Sequence, residues 1–139
     1  MTVLIFQIAL WGWFFGCICT YRVGGRLLVE GMGIKSAECF MLCLYTVGAV
    51  LYWQLPHIGK WVLPAVLLFW GTVQFFCHWY YTIFGASPQK LAGYNRCFGQ
   101  TIHLFPASET RLVPDLYHII LHLLILTNLV LCVLRIIGE

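Results

Sequence analysis

Asp115, His118 and His122 are spaced by three and four residues, a pattern that stacks side chains on one face of a helix. They stand at the start of the last long apolar segment. Ionisable groups at membrane depth are costly and seldom accidental, so this trio marks where chemistry would sit. Two histidines four residues apart, joined by one from a neighbouring helix, supply the nitrogen ligands and open coordination position of a catalytic zinc-like divalent metal. His78, in the preceding apolar segment, is the third histidine, which makes His78, His118 and His122 the candidate metal ligands. Asp115 would act as ligand, base or the acceptor that orients a histidine. A competing cofactor is haem b, whose axial histidines sit on facing helices, and His78 with His118 or His122 would qualify. A hydrogen-bonded histidine network within the bundle needs neither cofactor.

These residues must be positioned by membrane elements. The 139-residue chain is 61% hydrophobic, 17% aromatic and only 9% charged, far from the roughly 25% charged content of soluble domains. Four apolar stretches approach the roughly 20 residues that cross a bilayer: Thr2 to Tyr21, Ala37 to Leu55, Trp61 to Phe84 and Pro114 to Ile137. The expected fold is an all-α integral membrane bundle of four transmembrane helices in a single domain spanning residues 1–139, with a long structured loop between helices 3 and 4. Long unbroken runs such as Leu63 to Trp70 do not alternate as barrel strands would. Met1 and Thr2 lead straight into apolar residues without the basic leader of a signal peptide, so the first helix is expected to remain.

Arg22, Arg26 and Lys35 lie between the first two segments, and Lys90, Arg96 and Arg111 between the last two. Cytoplasmic loops are rich in such residues. Both long loops are therefore expected in the cytoplasm, with both termini outside and the protein in the plasma membrane. Pro56 would end the second helix, Pro64 would fall in the first turn of the third, and Pro114 would start the fourth. Ser87 and Pro88 predict an N-cap and first turn of a short surface helix, with Gly93 as its stop.

At 1.5 Å per residue, His78 lies roughly 9 Å from the cytoplasmic end of its helix, and His118 and His122 roughly 6 and 12 Å from the same end of theirs. They can meet. Gln74, His78 and Tyr81 share a helix face. The loop from Gly85 to Val113 is far longer than an ordinary connection and dense in polar residues, among them His103 and Glu109, which join Asp115 as candidate acid–base groups. As a lid over the cavity it would turn His103 or Glu109 toward the helices. Arg96 and Arg111, with Gln74 and Tyr81, are the candidate groups for binding an anionic substrate.

The combination of His78 with His118-x-x-x-His122 resembles the histidine pattern of the membrane zinc hydrolases of the alkaline ceramidase and adiponectin-receptor group. The resemblance covers three positions and implies a metal-assisted hydrolase. Those families have seven spans, and the serine they place four residues before the inner histidine is Gln74 here.

Seven cysteines form no Cys-x-x-Cys and are odd in number, so most read as small apolar helix residues. Cys97 beside Arg96 is the one thiol placed to act as a nucleophile. Gly12, Gly16 and Thr20 put a small residue every four positions along the first helix, suited either to packing within the chain or to homo-oligomerisation. The Trp and Tyr residues read as interfacial anchors.

The function these features favour is a metal-assisted membrane enzyme acting on a lipid or amphipathic substrate. A small oligomeric channel or transporter, with the same histidines lining a proton or ion path, is the alternative, followed by a haem-binding or assembly subunit. Membrane lipids are the expected surroundings, and no nucleic-acid motif is present.

Overall fold

The computed structural model describes residues 1–138 and is 70% helical, with five helices. Helix α1 (Thr2–Phe14) tightens into a 3₁₀ turn over Phe15–Cys17. Strands β1 (Tyr21–Val23) and β2 (Arg26–Val29) follow. Helix α2 (Ala37–Gln54) is capped by the Ser36 hydroxyl, which accepts from the Cys39 N–H. Helix α3 runs continuously over Pro56–Phe84 and contains a π-helical turn at Phe75–Trp79. Helix α4 (Pro88–Phe98) is short, and α5 covers Leu116–Ile137.

The hairpin is a departure from the expected all-α fold, in which Tyr21 closed the first helix. Its cause is local: Gly24 and Gly25 have φ of 56° and 79°, and two successive positive-φ residues make the tight turn that matches strand twist. The strands pair antiparallel, Arg22 opposite Leu27 and Val23 opposite Arg26.

Three helix boundaries also differ from expectation. Pro56 opens α3, where its fixed φ and missing N–H are tolerated, so only Leu55 separates α2 from α3 and Pro64 lies inside the helix. The tight corner brings the two backbones together at Gly59, where a Cβ would stand 2.2 Å from the Leu51 carbonyl carbon. Ser87 caps α4 and Pro88 begins it as expected, but the helix runs through Gly93 to Phe98. Pro114 precedes α5, whose cap is Asp115.

Helix α2 packs along α3, α3 along α5, α5 along α1, and α1 touches α2, closing a ring around a core that includes Leu10, Phe14, Tyr45, Leu63, Leu67 and Leu121. Leu91, Tyr94 and Leu112 form a smaller cluster that fastens α4 and the following loop. Outward positions on α3 and α5 remain apolar, with Leu68, Phe76, Leu123 and Leu126 all more than half exposed. Two helices, Pro56–Phe84 and Leu116–Ile137, are long and apolar enough to cross a membrane, and Thr2–Cys17 is a shorter apolar helix.

A polar tie pins the ring at the end remote from the histidines. The fully buried Asn128 donates to the carbonyls of Phe6 and Leu124 at 3.0 and 2.8 Å. Trp53 Nε1 donates to Gln7 Oε1 at 2.6 Å, and the Tyr45 hydroxyl donates to the Gln7 carbonyl at 3.0 Å. Buried polar groups need such partners, and here they join α1 to α2 and α5.

Candidate functional site

Asp115 places the site because it does two jobs at once. Its backbone is extended, as an N-cap requires, and its Oδ1 accepts both the His118 backbone N–H at 2.9 Å and the His118 Nδ1–H at 2.5 Å. The hydroxyl of Thr101, from the loop, donates to Oδ2 at 2.9 Å. Asp115 is wholly buried. Burial alone would raise its carboxyl above the ordinary value of 3.8, but the hydrogen bonds and charge of His118, with the bond from Thr101, lower it. A carboxylate can only accept, so the ring proton that meets it is on His118 Nδ1, and in the neutral form of the imidazole Nε2 keeps the lone pair.

His78 arrives from the π-helical turn of α3, a local widening that recurs at functional sites. Its ring centroid lies 4.2 Å from that of His118 and 5.5 Å from that of His122, while His118 and His122 are 6.3 Å apart. The three rings thus come together, as the matched depths predict. His78 is 6% exposed and its Nδ1 has no hydrogen-bond partner among the described residues. Tyr94 and Phe98 of α4 close over it, with the Tyr94 ring edge-on at 5.8 Å. Burial, reinforced by the charge of Asp115, pushes the Tyr94 hydroxyl up, so it is a protonated donor at neutral pH.

His122 is engaged at both ring nitrogens. Trp79 Nε1–H donates to its Nδ1, and its Nε2 lies 3.0 Å from Gln74 Oε1. Indole can only donate and an amide oxygen only accept, so His122 is held as the tautomer protonated on Nε2. A metal bound by all three histidines would have to break one of these bonds. Among the described residues, no group of three or more His, Cys, Asp or Glu side chains is disposed to hold a metal ion.

His78, His118 and Gln74 line a cavity of about 550 Å³ between α1, α3, α4 and α5. Its wall is mainly apolar, with Phe14, Trp70 and Leu121, and it includes Lys90, Glu30 and Glu38. Lys90 Nζ lies 4.7 Å from the centroid of the Tyr81 ring. Cys97 also lines this cavity.

The remaining sequence-predicted residues lie elsewhere. His103 accompanies Arg111 in a second cavity, and its Nδ1 donates to the Thr101 carbonyl at 2.9 Å. Glu109 and Arg96 are exposed, and neither lines the histidine cavity. The loop meets the site through Thr101 and α4 instead of through His103 or Glu109, because the bridge between Leu27 and Thr101 and the bond from Ile102 N–H to the Leu27 carbonyl at 3.0 Å fix its course. Sequence reasoning missed Thr101 as the second partner of Asp115 and Trp79 as the partner of His122. Trp79 follows His78 directly, but its indole could be placed against His122 only once the π turn was known.

Comparison with known protein families, curated proteins and solved structures finds no match to this chain.

Proposed function

We propose that this protein is a four-span membrane enzyme that processes a lipid or amphipathic substrate by acid–base chemistry, with His118 as general base and Asp115 as its orienting partner. The observation that carries this reading is His118, held by the buried Asp115, at the wall of a mainly apolar 550 Å³ cavity. Cavities of that size and character suit a small amphipathic ligand.

His118 Nε2 takes a proton from water or from a substrate hydroxyl, and the Asp115 carboxylate stabilises the imidazolium that forms. The Nδ1 of His78, which has no partner among the described residues, and the Tyr94 hydroxyl orient the polar part of the substrate. Phe14, Trp70 and Leu121 receive its apolar part, and Lys90 supplies the positive charge for an anionic group. Substrate binding thus rests on Gln74 and Lys90, with Arg96 and Arg111 outside the cavity wall. Outward apolar side chains on α3 and α5 support insertion in a bilayer, and the Lys and Arg distribution supports both long connections in the cytoplasm.

The test is turnover of a panel of ester- and amide-linked lipids by protein reconstituted in nanodiscs, with metal content measured on the same sample. His118→Gln is expected to lower kcat by about 10²–10⁴-fold, the usual contribution of general acid–base catalysis. Equal turnover by wild type and variant defeats the proposal, and stoichiometric metal lost with His118 would restore the metal-assisted mechanism.

A further inference from the structure

The short hairpin carries two cations that the acid–base site does not use. Arg22 and Arg26 line a cavity of about 370 Å³ together with Gln100, Thr101 and His103, a wall that contains no carboxylate. Both arginines are exposed, and neither has an ion-pair partner among the described residues. His103 is shared with a neighbouring cavity of about 380 Å³ that includes Arg111 and Ser108 and likewise has no carboxylate in its wall. Positive charge from two separate chain segments therefore flanks one polar ledge.

The ledge is built, and its level is fixed. Gly24 and Gly25 make the turn that holds Arg22 and Arg26 on adjoining strands. Leu27 bridges to Thr101, the Ile102 N–H donates to the Leu27 carbonyl at 3.0 Å, and the Leu116 N–H donates to the Ile102 carbonyl at 2.8 Å. Leu116 is the first residue of α5, which is long and apolar enough to cross a membrane. The arginines consequently stand beside the end of an apolar helix, where lipid headgroups lie. Two guanidinium forks match the oxygens of a phosphate, and the Gln100 amide adds donors.

We infer that the ledge formed by Arg22, Arg26 and Gln100 binds a phosphate group, carried by the headgroup of an anionic phospholipid. The site is separate from the histidine cavity and stands whether or not that cavity is catalytic.

Native mass spectrometry of the purified protein in neutral detergent tests it, with dioleoyl phosphatidic acid, dioleoyl phosphatidylcholine and inorganic phosphate added in separate arms. Phosphatidic acid should be retained in preference to phosphatidylcholine. Its affinity should fall about tenfold or more in Arg22→Gln/Arg26→Gln, since charge-assisted bidentate bonds are lost, and stay within about twofold in Lys35→Gln/Arg96→Gln, which removes as much charge outside the ledge. Inorganic phosphate bound as tightly as phosphatidic acid, with the same loss in the hairpin variant, would keep the phosphate site and make free phosphate its ligand. Undiminished lipid retention in the hairpin variant, an equal loss in the control, or no anion retained in any arm would overturn the proposal. Should the hairpin variant fail to fold, phenylglyoxal labelling of the wild type decides: phosphatidic acid should protect Arg22 and Arg26 but not Arg96, and equal labelling with and without lipid overturns the site.

Discussion

The imidazoles of His78 and His118 face one another with ring centroids 4.2 Å apart and planes inclined by 31°, yet only His118 has a carboxylate. Asp115 orients one ring of the pair, and the other has no bond at Nδ1 among the described residues. In the proposed mechanism this asymmetry gives the base's role to His118 and a binding role to His78.

Asp115→Asn should separate orientation from base strength. The amide still caps α5 through its oxygen, but it cannot stabilise an imidazolium as a carboxylate does. A kcat lowered by about 10²-fold or more, with KM little changed, is expected from the loss of a transition-state interaction. A KM effect alone, measured in the same lipid-turnover assay, would move Asp115 to a structural role.

The Asp115 carboxyl also makes stability depend on pH. Its folded-state pKa lies below the ordinary 3.8, so ionised Asp115 stabilises the fold at all pH values above that figure. The contribution is lost as pH falls through the lower folded-state value. Thermal unfolding in detergent should show the wild-type midpoint falling below about pH 4, with a shallower fall in Asp115→Asn. Parallel curves would show that the carboxyl is not linked to folding.

Trp79→Phe removes the donor to His122 Nδ1 and leaves a part-buried acceptor unpaired, at a cost of about 1 kcal/mol. It also frees one nitrogen to bind metal. Zinc titration followed by calorimetry should give tighter binding in Trp79→Phe than in wild type. Unchanged zinc affinity would show that the Trp79 bond does not limit coordination.

Asn128→Ala deletes the donor that ties α5 to the Phe6 carbonyl of α1. The expected loss is about 0.5–1.5 kcal/mol, the net worth of an intramolecular hydrogen bond, read as a lowered unfolding midpoint. An unchanged midpoint would show that the tie adds nothing to stability.

Gly16→Val and Gly12→Val distinguish packing within the chain from contact between chains. A Cβ at Gly16 would stand 2.9 Å from the Tyr117 ring and 3.0 Å from Val29, whereas one at Gly12 meets nothing within 4 Å. Gly16→Val should destabilise by about 1–3 kcal/mol through overpacking, and Gly12→Val should leave the unfolding midpoint unchanged. A shift in oligomeric state with Gly12→Val, measured by light scattering in detergent, would give the small-residue stripe a role in association.

By itself the sequence determined the helices and the residues on their faces, because apolar run length and the 3.6-residue period are local properties. It therefore yielded the two long apolar helices, the Ser87 cap with Pro88 behind it, and the shared level of His78, His118 and His122. Tertiary structure alone decided which ring nitrogen meets which partner. Trp79 against His122 and Thr101 against Asp115 depend on a π turn and on a loop fixed by the hairpin. The hairpin was written in Gly24 and Gly25, but its strands are three and four residues long, too short for period-2 alternation to stand out from an apolar background. The start of α3 was obscured for a similar reason: proline disfavours helix at the residue before it but suits the first turn, so Pro56 fits the end of one helix and the start of the next. Only the packing of Gly59 against Leu51 shows that both hold, with a single residue between them.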